Sequence, residues 1–375
     1  MSLVLSEEQS ILQQSAVEFF SSVSPVTAFR GLRETSQAYD AETWLQMVEL
    51  GWSSILVPED LGGLEFGLTG MGVLAIEGAR TLAKSPLSSS AAVSVAALNH
   101  CKPSTQRDAL LSALASGAKT AAFAHLETTQ FNPSIIRTQS ASAVDGFNIN
   151  GHKSCVENAQ SADVVLITAR SPDAGYSDSD GFLLLIDPEA EGIECDSVGL
   201  LDERQYADIS VSDFKIAKDE KLEWNDGAAL AQVIDTATVI AACELFGCSL
   251  EAFERTLEYV KEREQFGHKI GSFQALQHRL AHQYTQLELL KTVVYDALSA
   301  VEKNRKDSSL AVSHAKALAN DTARLVTTEA IQMHGGIGIT DELDIGLFYK
   351  RARVLRTMWG DSVYHRSHFA SLSGY

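Results

Sequence analysis

The chain has 375 residues, of which 45% are hydrophobic and 21% are charged, a balance typical of folded globular proteins. Its 49 acidic residues exceed its 30 basic residues, so the formal net charge is −19. This charge argues against nucleic acid as the main partner, because binding to phosphates by counterion release needs clustered Lys and Arg. We also expect no membrane span, since no apolar run approaches the roughly 18 residues that a transmembrane helix needs.

The N-terminus and the cysteines favour a cytoplasmic protein. The first residues, MSLVLSEEQS, have neither the basic region nor the apolar region of a secretion signal. The five cysteines are an odd number without a CxxC pair, which predicts reduced, unpaired thiols. The pairs His278/His282 and His365/His368 have helical spacing, but HRLAH lacks the glutamate of HExxH. We therefore expect no metal site.

The chain begins with a helical pattern and continues with a β pattern. Helices are predicted over 7–20, with Ser6 as N-cap, and over 41–50, 71–82 and 107–115. From about residue 120 to 216, five short runs favour strands: TAAFAHL, GFNINGH, DVVLITAR, GFLLLID and ADISVSDFKI. They follow one another without helices between them, which predicts a compact antiparallel sheet or barrel. Residues 171–181 are predicted to form a solvated hairpin tip within it.

Long helical patterns return after residue 225. They cover 228–262, 273–303, 309–334 and 344–371, and short connections between them predict an antiparallel bundle. The expected fold is therefore multidomain, with α and β parts. It has an N-terminal helical domain over 1–118, a central antiparallel β-domain over 119–222 and a C-terminal four-helix bundle over 223–375.

Two C-terminal segments have the chemistry of a phosphate and ring site. In EYVKEREQFGHKIGSFQALQHRLA, a cation, an aromatic ring and an amide (Arg263, Phe266 and Gln274) stand where one helix ends and the next begins. This combination suits a phosphate joined to a flat heterocycle, although a salt-bridged helical hairpin explains it equally well. In QMHGGIGIT, Gln332 is followed by Gly335 and Gly336, whose backbone N–H groups are open to close approach.

Taken together, these residues resemble the acyl-CoA dehydrogenase family of flavoproteins, over essentially the whole chain. The similar segments are GWSSILVPEDLGG, INGHK, EREQFGHKIGSFQALQH and QMHGGIGIT. The resemblance implies an FAD cofactor, an acyl-CoA substrate, an electron-transfer flavoprotein or similar acceptor, and dimers or tetramers. It also implies that Arg263, Phe266 and Gln274 contact the diphosphate and adenine side of FAD. Gln332, Gly335 and Gly336 would meet the same cofactor from another subunit.

The residues expected beside the flavin ring depart from the family pattern. Where members have an EPxxGSD-like loop, this chain has LETTQFNP and keeps only Glu127. The usual tryptophan and threonine or serine after INGHK correspond to Cys155 and Glu157. An ionised carboxylate cannot donate a hydrogen bond to a flavin as a hydroxyl does.

The position of the catalytic base departs as well. Most members have a glutamate before a glycine near the C-terminus, where this chain has Trp359 and Gly360. The backbone of Trp359 and Gly360 would still bind the thioester oxygen. The other family position corresponds to Ala237 on the first long C-terminal helix. Nearby carboxylates that could replace the base are Asp361, Asp235 and Glu244, the last lying about 10 Å along the helix from Ala237.

These departures leave three hypotheses. The first is an FAD-dependent acyl-CoA dehydrogenase, catalysing α,β-desaturation with a displaced base, Asp361. The second is a non-catalytic supporting subunit of a heteromeric dehydrogenase that completes the FAD site of its partner. TVIAACELFG and WGDSVYHR resemble the subclass of heteromeric enzymes that act on steroid side-chain or other bulky thioesters. The assembly would be a homodimer, a homotetramer or a heterotetramer. The third is an acyl-CoA-binding flavoprotein with a different reaction.

Overall fold

The computed structural model describes residues 5–35, 37–143, 146–171, 181–217 and 220–375. Within these ranges the chain forms eleven α-helices and ten β-strands. The order is helical, then β, then helical, as the sequence predicts. The predicted hairpin tip lies mostly outside the described residues, because 172–180 are not among them.

Six helices precede the sheet. They are α1 (Glu7–Ser22), α2 (Val26–Arg33), α3 (Ala41–Glu49), α4 (Leu68–Arg80), α5 (Val95–Asn99) and α6 (Thr105–Ala115), with a π-helical segment Leu87–Ser94 leading into α5. The predicted N-cap of α1 is confirmed. The Ser6 hydroxyl accepts a hydrogen bond from the Gln9 amide at 3.1 Å, and the Gln9 side chain accepts one from the Ser6 amide at 3.0 Å. This reciprocal capping box satisfies two donors at the helix start.

The β part is one eight-stranded sheet. Its strands are β1 (Ala121–Ala124), β2 (Gln139–Ala143), β3 (Gly146–Glu157), β4 (Val164–Arg170), β5 (Gly181–Ile186), β6 (Ile193–Gly199), β7 (Gln205–Ile216) and β8 (Lys221–Glu223). The spatial order is β6-β7-β3-β2-β4-β5-β8, with β1 beside β4. All pairs are antiparallel except β1–β4 and β2–β4. The predicted antiparallel sheet is confirmed, and it contains three strands that the sequence patterns missed, namely β2, β6 and β8.

The C-terminal part is helical. It contains α7 (Ala229–Glu262), a short hairpin of β9 (Glu264–Gln265) and β10 (His268–Lys269), and the helices α8 (Gln274–Glu302), α9 (Ser308–His334), α10 (Ile345–Leu355) and α11 (Ser362–Leu372). The prediction of one helix over 344–371 is wrong. That segment breaks into α10 and α11 because Trp359 and Gly360 have φ values of 55° and 99°, which a right-handed helix does not accommodate.

The chain forms two compact units. One comprises Met1–Glu34, Leu68–Ala83 and Thr238–Tyr375, and the other comprises Thr35–Gly67 and Lys84–Ala237. Inside the first unit, α4 approaches α7 closely, since a Cβ on Gly247 would lie 2.1 Å from the Ile76 carbonyl oxygen. Inside the second unit, the apolar faces of the sheet strands form a buried core that includes Ile149, Ile167 and Ile209.

Helix α7 is the part of the described chain that bears on the expectation of no membrane span. Among the described helices, it is long and apolar enough by length and composition, with a mean hydropathy of 1.6 over its most apolar window. However, 89% of that window is buried inside the fold. This burial is what the core helix of a folded domain shows.

Candidate active site

The first predicted segment forms an exposed corner after α7. Phe266 and Gly267 have φ values of 55° and 77° and make the two-residue turn between β9 and β10. Arg263, Phe266 and Gln274 are all exposed, and the Phe266 side chain is 90% exposed. Its ring meets Phe273 edge-on, with 6.4 Å between centroids. The corner therefore presents a cation, an aromatic ring and an amide outward.

The second predicted segment lies at the end of α9. Gly335 adopts φ 68° and ψ −142°, a conformation essentially restricted to glycine. A Cβ on Gly336 would meet no atom of this chain within 4 Å, and the Gln332 side chain is exposed. The Gly335 amide donates to the carbonyl oxygens of Ile331 and Gln332, whereas the backbone at Gly336 is open to close approach by a ligand or another subunit.

One aromatic contact brings the two segments together. Tyr259, one turn before Arg263 on α7, stacks on His334 with 4.2 Å between ring centroids. His334 immediately precedes Gly335. The C-terminal ends of α7 and α9 therefore contact each other. The exposed groups of both segments occur at the same end of this unit. Guanidinium, amide, aromatic and Cβ-free backbone groups fit the phosphates and flat rings of FAD.

The basic residues that follow these glycines, Lys350, Arg351, Arg353 and Arg356, do not form one exposed surface. Arg353 is exposed, whereas Arg351 is 1% exposed and its guanidinium lies 5.8 Å from the centre of the Phe29 ring. Burial lowers the pKa of Arg356, and the neighbouring Arg353 and Arg324 lower it further. Arg351 is thus part of the folded interior of its unit rather than of an exposed phosphate site.

Residues Cys155 and Glu157 lie at a distortion of β3. The β3–β7 register shifts between Lys153 and Val156, and Cys155 has a φ of 54°. The Asp208 carboxylate accepts the Cys155 amide at 2.8 Å, which holds this bulge. Burial, followed by the nearby carboxylates, raises the pKa of the Cys155 thiol to about 11. The thiol is therefore neutral near pH 7.

Glu157 has a cationic partner that the sequence analysis did not identify. Arg204 donates a hydrogen bond from Nη1 to Glu157 Oε1 at 3.0 Å, and the Arg204 side chain is only 8% exposed. The charge of the Glu157 carboxylate is therefore compensated within its own unit. The two residues are 47 positions apart in the sequence, so no local pattern connects them.

The LETTQFNP segment is held by a buried ion pair. Lys153 Nζ donates to Glu127 Oε1 at 2.7 Å, and the two side chains are 0% and 2% exposed. Glu127 also accepts the backbone amides of Arg137 and Thr138. Burial raises the pKa of Glu127, but the Lys153 ammonium and the Thr138 donors outweigh it and hold the pKa below its usual value. Glu127 lies near the start of the connection between β1 and β2 and therefore binds residues at its end, Arg137 and Thr138.

The family's base position on α7, now Ala237, and the two carboxylates near it are all buried. Ala237 is 1% exposed, Glu244 is 5% exposed and Asp235 is 9% exposed. The carboxylate of Asp361, in contrast, is at the N-cap of α11 and accepts the amides of Val363 and Tyr364 at 3.0 and 2.8 Å. Asp361 thus has a structural role that its position in the sequence does not reveal.

The turn that carries Trp359 and Gly360 is held from α9 and α11. Lys316 on α9 is fully buried and donates to the Gly360 carbonyl oxygen at 2.9 Å. His365 on α11 donates through Nε2 to the Trp359 carbonyl oxygen at 2.7 Å. The sequence did not predict this role for either residue. One lysine within a helix, or a histidine three positions from another, does not indicate a contact with a distant turn.

The cysteines and the possible metal ligands complete the description of the site. The five cysteines all lie in the described ranges, and none of them forms a disulfide. In the same ranges, no group of three or more His, Cys, Asp or Glu side chains is arranged to hold a metal ion.

Comparison with known proteins identifies two domain models. A model described as the acyl-CoA dehydrogenase N-terminal domain matches residues 6–118, and one described as the acyl-CoA dehydrogenase C-terminal domain matches residues 227–372. Both models describe the same family, and together they cover most of the chain.

Individual relatives match over nearly full length. The chain is 28% identical over 349 residues to acyl-CoA dehydrogenase IpdE2 of Mycolicibacterium smegmatis, covering 93% of each protein. It is 27% identical to the caffeyl-CoA reductase-Etf complex subunit CarC of Acetobacterium woodii, covering 88% of each. Among solved structures, a variant of the Tcur3481–Tcur3483 steroid ACAD matches with a TM-score of 0.88 and 25% identity, covering 98% of this chain and 97% of that one. Butyryl-CoA dehydrogenase of Megasphaera elsdenii has the same fold, with a TM-score of 0.89, 21% identity and 99% coverage of both chains.

Proposed function

Because the chain belongs to the acyl-CoA dehydrogenase family, we propose that it is an FAD-dependent oxidoreductase that desaturates an acyl-CoA thioester between its α and β carbons. The observation that carries this proposal is the exposed end formed by the α7–α8 corner and the α9 glycines. Arg263, Phe266 and Gln274 would hold the diphosphate and adenine side of FAD. Gln332, Gly335 and Gly336 would serve the same cofactor of a neighbouring subunit.

In this reaction, FAD supplies an acceptor for the hydride that leaves the β-carbon. The chain must supply donors for the thioester oxygen and a base for the α-proton. Backbone N–H groups at Trp359 and Gly360 are the proposed donors, since that turn is held rigidly through its carbonyl groups. Beside the flavin ring, Glu157 paired with Arg204 would take the place of the hydroxyl that other family members have.

For a self-sufficient enzyme, Asp361 is the proposed base and Glu244 is the second choice. Asp361 follows the turn directly and is exposed, so its side chain is accessible. Glu244 is buried and lies farther along α7. A carboxylate that also caps a helix is a demanding choice for a base, because two amides already bind one of its oxygens.

The capping role of Asp361 supports a second candidate function, that of a supporting subunit without its own base. The name of one similar structure, the Tcur3481–Tcur3483 steroid ACAD, supports a steroid thioester as the substrate class. The assembly would then be a heterotetramer with a related subunit that bears a glutamate base, and the substrate would be a bulky thioester. A homodimer or homotetramer remains the arrangement for the self-sufficient enzyme.

Further parts of the proposal concern setting and organisation. The relative named for an Etf complex supports an electron-transfer flavoprotein or a similar acceptor as the electron partner. We place the protein in the cytoplasm. The division into three domains, 1–118, 119–222 and 223–375, stays part of the proposal.

The decisive experiment is anaerobic flavin reduction by the purified chain. FAD stoichiometry is measured first, and the holoprotein is then mixed with short, long, branched and steroid-linked acyl-CoA thioesters. Rapid bleaching of the flavin by the chain alone supports the self-sufficient enzyme and excludes the supporting-subunit role. Bleaching that requires a glutamate-bearing partner supports the second function. A chain that binds no FAD, alone or with a partner, contradicts both.

The Asp361→Asn variant separates the two roles of that residue. Asparagine also caps helices well, so α11 should stay intact. If Asp361 is the base, turnover falls by about 10²-fold or more while FAD stays bound. An Asp361→Asn variant as active as the wild type would exclude Asp361 as the base.

A further inference from the structure

Side chains from α9 and α11 bind the carbonyl oxygens of the turn between α10 and α11. Helix α10 ends at Leu355, and α11 starts at Ser362, so Trp359 and Gly360 connect two helix ends. A Cβ on Gly360 would lie 2.6 Å from His365 Nε2, so only glycine fits there. Trp359 itself has a φ of 55°, which is costly for a bulky side chain. The surrounding contacts must offset that cost.

Lys316 supplies the largest share of these contacts. Its Nζ donates to the carbonyl oxygens of Leu355 at 3.1 Å and Gly360 at 2.9 Å, and to Asn320 Oδ1 at 2.9 Å. Asn320 Nδ2 donates to the same Gly360 oxygen at 3.3 Å. One buried ammonium thus joins the last carbonyl of α10 to the start of α11.

His365 binds the other carbonyl of the turn. Because the Trp359 oxygen can only accept, His365 Nε2 carries the proton in this 2.7 Å contact. Burial, followed by the Lys316 charge, lowers the pKa of His365 to about 4. The imidazole is therefore neutral near pH 7, and Nδ1 faces the Ser313 hydroxyl at 3.4 Å.

The bound oxygens at positions 355, 359 and 360 are all main-chain carbonyls. These contacts therefore do not depend on which side chain occupies position 359. We propose that Lys316 and His365 are positioning residues that hold this turn in the same shape whichever side chain occupies position 359. It follows that a single substitution, Trp359→Glu, equips the chain for α-proton removal. This inference rests on the proposed function, since it concerns the same site.

The chemistry of the substituted turn balances without any added reactant. The new carboxylate takes the proton from the α-carbon, the β-carbon loses a hydride to the bound FAD, and a C=C bond forms between them. One carboxylate becomes protonated and one flavin becomes reduced. All required groups belong to the chain, the substrate or the cofactor named in the proposed function.

The first test compares Trp359→Glu with Trp359→Gln, which has nearly the same shape but no base. Both variants also carry Asp361→Asn, so that the base proposed for the self-sufficient enzyme cannot contribute to either rate. Both holoproteins are mixed anaerobically with acyl-CoA thioesters, after FAD stoichiometry and thermal unfolding have been recorded. Trp359→Glu should bleach the flavin about 10²-fold faster than Trp359→Gln. Equal rates in two folded, FAD-loaded variants would overturn the inference.

The contacts of Lys316 and His365 with the turn carbonyls are called the clamp below. A second test examines the clamp without cofactor or substrate. In the otherwise unchanged chain, Lys316→Met should speed amide hydrogen exchange in peptides covering 356–362 by at least about 10-fold, because the carbonyl anchors are lost. Lys316→Arg keeps a donor and should restore part of the protection. Exchange in this segment that is unchanged by Lys316→Met would refute the positioning role. This readout stays meaningful even if FAD binding, and with it the proposed function, fails.

The clamp should also depend on pH. Three oxygen acceptors need the three N–H groups of an ammonium, and burial, with Arg356 adding and Asp361 opposing, lowers the pKa of Lys316 to about 7. The charged or titratable groups facing Lys316 are Arg356, Asp361 and His365. Raising the pH from 6 to 9 should therefore speed exchange of 356–362 beyond the intrinsic chemical rate. Lys316→Met should remove this extra dependence, and a wild-type profile that matches the intrinsic rate would count against the clamp.

Discussion

Removing Lys153 should destabilise the β part of the chain more than any exposed charge change. Its ammonium contacts Glu127 Oε1 at 2.7 Å, Thr168 Oγ1 at 3.0 Å and the His125 carbonyl oxygen at 3.3 Å. Lys153→Met keeps much of the volume but leaves the Glu127 carboxylate buried without its cation. Removal of one partner from a buried pair costs about 3–5 kcal/mol. Donors at Arg137 and Thr138 still bind Glu127, so we expect the lower end of that range.

The assay is urea unfolding of the wild type, Lys153→Met, Glu127→Gln and the double variant. Because Glu127→Gln removes the orphaned charge, the double variant should be less destabilised than the sum of the single variants. The coupling should be about 1.5–3 kcal/mol, the size expected for a hydrogen bond to a charged group. A coupling below about 0.5 kcal/mol, the usual limit of additivity, would refute the reasoning.

A matched control exists in the same unit. Lys102 Nζ lies 2.7 Å from Glu223 Oε2, the same distance as in the buried pair, but these side chains are 57% and 68% exposed. Surface pairs contribute about 0–1 kcal/mol, so Lys102→Met should change the free energy of unfolding by less than about 1 kcal/mol. If both lysine variants had equal effects, burial would not be the cause.

Three further predictions concern the cofactor, a helix cap and pH. Arg263→Ala should weaken FAD retention by about 1.5–3 kcal/mol, measured by FAD titration, and unchanged affinity would contradict the assigned contact. Asp361→Ala should lower the free energy of unfolding by about 1 kcal/mol through loss of the α11 cap, whereas Asp361→Asn should not, as urea titrations would show. Burial, followed by the Lys153 charge, lowers the pKa of His125 to about 4, so the folded state binds fewer protons than the unfolded state between pH 6.5 and 4. Stability should therefore fall by about 3 kcal/mol as the pH drops through this window, and His125→Gln should flatten the decline.

Local patterns carried most of the fold. The Ser6 capping box, the periodic apolar faces of the long helices and the short β-branched runs each depend on residues close together in the chain. The patterns failed where pairing partners decided the structure. Strand β6, with a largely exposed and polar sequence, is a strand because β7 pairs with it over seven positions. The predicted last helix broke because contacts from α9 and α11 stabilise a left-handed turn at Trp359.

The site divides in the same way. Sequence alone determined the family signatures, the presence of a cation, a ring and an amide at the α7–α8 corner, and the absence of a glutamate at position 359, because each is a matter of residue identity at a position. The exposure of the corner residues came from the structure. Tertiary structure alone decided that Glu157 meets Arg204, that Lys153 meets Glu127, and that Lys316 holds the Gly360 carbonyl. These pairs lie 47, 26 and 44 residues apart. Charges so distant in the chain acquire their meaning only when folding buries them side by side, where an unpaired charge is too costly to persist.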